Sequence, residues 1–138
     1  MVRIAWIFDK LQARSGCPGL DGGSAPEQIA KRLDKIETET CALTDHGSVS
    51  GAVSFLNKMD KANKKPILGC ELYVCQFNAK IQDDTNRNLA HLLVWAKNDQ
   101  GWRELIKLTS EANQLDHFYY KQRLNLDQLA QYATPNLM

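Results

Sequence analysis

The residues of this 138-residue chain best suited to chemistry are His46 in Thr44-Asp45-His46-Gly47, Glu71 after Gly69-Cys70, and His91. Each sets an imidazole or a carboxylate at the edge of an apolar, strand-like run. Such side chains hold divalent zinc or manganese. Several ions gathered in one pocket generate hydroxide and neutralise the charge of a reacting phosphoester. Each residue also has an ordinary use. His46 beside Gly47 suits a turn that caps the next helix, and His91 suits a hydrogen-bonded strand edge. Glu71 lies in an apolar run, where a carboxylate must be paired or bound to metal; Arg14 or a lysine would serve as its partner.

Other groups have weaker claims. His117 is expected at the surface. Phe118, Tyr119 and Tyr120 have rings that stack on bases, but packing against a strand layer is their commoner use. Lys58, Lys61, Lys64 and Lys65 form a basic run that would touch phosphate or, more simply, complement a helix end.

The elements that must position these groups alternate between strand and helix. Val2 to Phe8 is β-branched and apolar enough for a strand, and Asp9 to Gly23 is a glycine-rich loop. Ser24-Ala25-Pro26-Glu27 is a capping box that starts a helix with Ile29, Leu33 and Ile36 on its buried face. Thr40 to Leu43 reads as a short strand. Val49 to Asn63 reads as a helix whose inner stripe is Ala52, Val53, Phe55, Leu56 and Met59. Pro66 to Val74 is a strand, Gln76 to Asn88 a mobile surface loop, and Leu89 to Ala96 a further strand. Asp99 to Gln114 is a helix with Trp102, Leu105, Ile106 and Thr109 on one side. Asn125-Leu126-Asp127-Gln128 caps a final helix ending near Tyr132, and Asn136-Leu137-Met138 begins another strand. Strands separated by helices predict parallel βα units whose strand carboxyl ends gather the functional groups.

Length and composition fit one soluble domain: 43% hydrophobic, 24% charged, net charge +1. That charge gives no broad field for nucleic acid. Cys17, Cys41, Cys70 and Cys75 lack zinc-finger spacing, and Cys41 and Cys70 read as buried thiols. Neither a leader nor a membrane-spanning run is evident, so a reducing cytoplasm is expected.

Four segments in this order and spacing resemble the amino-terminal PHP (polymerase and histidinol phosphatase) domain of bacterial DNA polymerase III alpha subunits. They are Ala42-Leu43-Thr44-Asp45-His46-Gly47, Lys65 to Val74, His91 to Asn98, and Phe118-Tyr119-Tyr120-Lys121. The resemblance runs from about Phe8 to Met138. It implies a distorted (βα)7 barrel of parallel strands, of which residues 1–138 would form the first half to two-thirds. It also implies a metal site at Asp21, His46, Glu71 and His91. Gln12 and Arg14 stand where the family has a His-x-His pair. Arginine cannot ligate, and its fixed charge repels a cation. Weak zinc or manganese binding, or none, is therefore expected, with Arg14 as a salt-bridge partner for Glu71 or Asp21.

Three roles follow from this resemblance. The first is a PHP domain of, or derived from, a replicative polymerase, acting structurally or in contact with proofreading partners and meeting DNA only within the full polymerase. The second is a phosphoesterase or 3′–5′ exonuclease completed by another chain. The third is a free-standing interaction protein encoded by a phage or mobile element. The open strand edge of a part-barrel predicts self-association or a partner that completes the ring.

Overall fold

The computed structural model describes residues 26–138. The readings placed on Val2 to Phe8, Asp9 to Gly23, the Ser24 cap, Cys17, Gln12, Arg14 and Asp21 lie outside the described residues. Helix α1 (Pro26–Lys35) carries Pro26 in its first turn, where a missing N–H costs nothing. Strand β1 (Thr40–His46), helix α2 (Ala52–Lys61) and strand β2 (Lys65–Cys75) follow. Strand β3 (Leu89–Trp95) leads into helix α3 (Asp99–Ala112), whose first turn is capped by the Asn98 side chain accepting from Gly101 N–H. A small hairpin, β4 (Phe118–Tyr119) with β5 (Lys121–Gln122), precedes helix α4 (Leu126–Tyr132). The predicted cap of α4 is present: Asn125 and Gln128 satisfy each other's backbone N–H groups.

The fold is mixed α/β, built on a three-stranded sheet in the order β1-β2-β3. Strand β1 runs parallel to β2, from Thr40 opposite Lys65 to His46 opposite Glu71. Strand β3 is antiparallel to β2, which corrects the all-parallel expectation. The reason lies in the connection. A parallel return needs a crossover, usually a helix, whereas residues 76–88 contain one short 3₁₀ turn at Asp84–Asn86. The chain therefore runs back along the strand it has just left. This segment is also more anchored than a mobile surface loop would be. Asn86 is buried, accepts from Phe77 N–H and donates to the carbonyls of Asn78 and Ile81.

Side chains alternate across each strand. On one face, Leu43 with Ile29, Leu33, Phe55 and Met59 forms one end of the core. Cys70, Leu72 and Val94 with Leu105, Leu108, Ala112 and Leu124 form the other. Ile29 and Leu33 sit as the helical spacing predicts, with Ile36 packed at the margin. Val53, by contrast, is 68% exposed, and Leu56 and Ile106 are also exposed. The expected inner stripes were too broad, because the sheet covers only one side of each helix.

At the chain's end, Trp95 and Met138 exchange backbone hydrogen bonds of 2.7 and 2.9 Å, and Ala96 bridges Leu137 in antiparallel register. In place of the strand expected at 136–138, Leu137 forms an isolated bridge on the edge of β3. Among the described residues no helix is long and apolar enough to cross a membrane.

Candidate functional site

Opposite the helices, the same strands present polar groups. β1 ends at His46 because Gly47 takes a left-handed φ of 60°, and a side chain there would overlap the Gln122 amide. Gly47 N–H donates to the Glu71 carbonyl at 2.8 Å, which fixes the turn beside the centre of β2. The register sets His46 against Glu71, and the antiparallel pairing sets Tyr73 against His91. Glu71 and Tyr73, two residues apart, share one face. The correction to β3 matters here. His91 reaches this end of the sheet from near the amino end of β3, not from a strand carboxyl end.

Three of the four expected site residues therefore meet. Glu71 is 3% exposed, and its Oε1 lies 3.0 Å from His46 Nδ1 and 2.7 Å from His91 Nδ1. Both imidazoles thus lie at ion-pair distance from the same carboxylate oxygen. Tyr73 OH is 2.7 Å from His46 Nδ1, and its ring meets His91 edge to face at 5.0 Å. Lys121 places Nζ 4.4 Å from the centre of the Tyr73 ring, a cation–π contact. The Glu71 carboxylate thus lies within ion-pair distance of the imidazoles that the resemblance assigns as its fellow ligands.

The donor chemistry suits zinc or manganese, but the donors are turned on one another. Among the described residues no group of three or more His, Cys, Asp or Glu side chains is arranged to hold a metal ion. Among the described residues this cluster does not by itself make a multi-metal centre. Nor does a thiol nucleophile stand in for one. Burial, with smaller contributions from the charges of Asp45 and Glu71, pushes the Cys70 thiol up to about 12, and burial pushes Cys41 up to about 11.

Tyr73 and Lys121 were not among the expected site residues. The period-two spacing from Glu71 was a sufficient signal for Tyr73. Lys121 arrives through a hairpin docked by long-range contacts that carry no local pattern. His117 corrects an expectation: it is buried at 2% exposure. Phe118 and Tyr120 are exposed at the hairpin and do not pack on the strand layer. Half of the basic run is occupied, with Lys58 paired to Glu27 and Lys64 held by Asp34 at 2.8 Å.

Residues 11–138 match the PHP domain family. The DNA polymerase III subunit alpha of Borreliella burgdorferi is 38% identical over 128 residues, covering 91% of this chain and 11% of that protein. The Treponema pallidum subunit is 35% identical over 135 residues, covering 96% of this chain and 11% of its own length. The Chlamydia pneumoniae subunit is 35% identical over 133 residues, covering 94% and 10% respectively. A solved structure assigned as a metal-dependent phosphoesterase from Bifidobacterium adolescentis shares 14% identity and a TM-score of 0.41, covering 68% of this chain and 30% of its own. A likeness at that level carries no argument about the site. The chain spans about a tenth of the length of the polymerase subunits it matches. With nearly its whole length matched, the chain belongs to the PHP domain family.

Proposed function

We propose that this chain serves as the PHP domain of a DNA polymerase III alpha-type replication protein, in a structural or interaction role and without metal-dependent catalysis of its own. The observation that carries this reading is the shared oxygen of Glu71, which lies within ion-pair distance of both His46 and His91, at 3.0 and 2.7 Å. In a working multi-metal phosphoesterase those three side chains would direct their donors at ions. Here they lie against one another, the kind of pairing a buried carboxylate needs. Gln12 and Arg14, at the family's His-x-His positions, support the same conclusion from sequence.

In this reading the chain forms part of a distorted (βα)7 barrel spanning residues 1–138. The rest of the ring comes from further polymerase sequence, a partner chain or a second copy. Leu137 and Met138, aligned on the edge of β3, support a sheet that extends in that direction. DNA contact belongs to the full polymerase, and a bacterial cytoplasm is the fitting compartment.

A second reading is favoured by one observation: His46, Glu71 and His91 do converge on one sheet face. That reading is a phosphoesterase or 3′–5′ exonuclease whose remaining ligands, with Asp21, complete the set in a larger assembly. Hydrolysis of a generic phosphodiester by the purified chain, with zinc or manganese supplied, separates the two. The structural reading expects no turnover above a Glu71→Gln control. Turnover abolished by that substitution would overturn it.

A further inference from the structure

A second buried imidazole lies away from the Glu71 cluster. His117 sits where the carboxyl end of α3 meets the start of α4, with its side chain 2% exposed. The hydrogen bonds around it fix its tautomer. Asn125 N–H donates to Gln128 Oε1 at 3.0 Å, and Gln128 N–H donates to Asn125 Oδ1 at 2.9 Å. Gln128 Oε1 is therefore the acceptor end of the amide, and its Nε2 can only donate. That nitrogen lies 3.2 Å from His117 Nε2 and 3.4 Å from Glu111 Oε1. His117 Nε2 must then accept, which places the ring proton on Nδ1, where it donates to the Glu111 carbonyl at 2.9 Å. This arrangement holds only for a neutral ring.

The charged groups facing His117 are in place for a different arrangement. Asp116 Oδ1, from the turn that carries the histidine, lies 3.9 Å from Nε2; Glu111 Oε1, from α3, lies 4.0 Å from Nδ1. Lys80, from the 76–88 segment, binds Asp116 at 2.7 Å and holds its carboxyl below the usual range. Helix α4 itself offers the neutral Gln128 amide. It has no fully buried residue and rests on the core through the partly buried Leu129 and Tyr132.

We propose that His117 is a proton-operated latch on α4. Uptake of one proton at Nε2 turns that atom from acceptor to donor. The new N–H faces the Gln128 amide hydrogens, and the nearest acceptor is Asp116. The ring shifts toward the carboxylate, Gln128 Nε2 keeps only its longer bond to Glu111, and α4 loosens while the sheet and α3 stay intact. No bond to carbon changes, and the proton comes from solvent.

Hydrogen exchange of the full chain, corrected for intrinsic rates, tests this between about pH 8 and about pH 5. The expected result is exchange about five- to tenfold faster in Leu126–Tyr132 at the acid end, the net worth of one hydrogen bond, with Leu105 and Leu108 unchanged. Gln128→Met, which removes the amide without adding charge, should exchange at the faster rate at both pH values. Unaltered α4 protection in the wild-type chain would overturn the latch. So would simultaneous opening of α3 and α4, or a pH response that persists in Gln128→Met.

Discussion

The two faces of the β1-β2-β3 sheet are built from the same strands and do opposite work. One face carries Leu43, Cys70, Leu72 and Val94 and is sealed by three helices. The other carries His46, Glu71, Tyr73 and His91, where a buried carboxylate faces two imidazoles at close range and His46 meets the Tyr73 hydroxyl. The first face depends on volume, and many substitutions there are felt through packing. The second depends on donor and acceptor matching, so a change that keeps shape but alters hydrogen bonding is felt most. Stability therefore resides mainly on the helical face, and the candidate site on the other.

The largest contrast should come from truncation on the sealed face. Phe55→Ala, at a fully buried site, is expected to cost about 3–5 kcal/mol. Urea denaturation measures this, and a loss near that of a surface site would mean the α1–α2 core is loosely packed. On the other face, Glu71→Gln keeps the shape but replaces the carboxylate that His46 and His91 face with a neutral amide. We expect a loss of about 1–3 kcal/mol and freed motion of His91, seen in ring-proton NMR. An unchanged His91 signal would show that Glu71 does not hold it.

The thiols give a pH prediction that belongs to the helical face. Burial holds Cys41 protonated up to about 11 and Cys70 up to about 12, whereas the unfolded chain releases these protons near 9.0. The folded state binds more protons in between, so stability is fully present below about pH 9 and falls as pH rises toward 12. Denaturation midpoints of Cys70→Ala against the wild-type chain across that range check this; parallel curves would contradict it. The smallest effect is assigned to Lys121→Ala, expected to cost about 0.5–1 kcal/mol through its contact with Tyr73.

Local chemistry was the legible part. The Asn125 cap, the Ile29–Leu33 spacing and the buried Cys41 and Cys70 depend on neighbours within a turn or on simple apolarity. The direction of β3 was not legible, because it rests on a 13-residue connection whose polarity resembles that of a crossover loop. His117 looked exposed because its burial comes from α4 docking on α3, a contact that sequence periodicity does not encode. In the candidate site, His46, Glu71 and His91 were found through their family motifs. Their bonding to one another was not foreseen, since it depends on register between strands and on rotamers. Asp21, Gln12 and Arg14 stand outside the described residues, and a double substitution probes them. Gln12→His with Arg14→His should raise zinc affinity in calorimetric titration, because two imidazoles replace a neutral amide and a repelling charge. An unchanged titration would mean that these positions do not face the cluster.

The central proposal is that Glu71, His46 and His91 pair with one another in place of holding a multi-metal centre. Elemental analysis of the full chain after gel filtration tests it most directly. The account predicts less than one zinc or manganese ion retained per chain. Retention of about two or three ions per chain, the complement of a metallophosphoesterase centre, would contradict it.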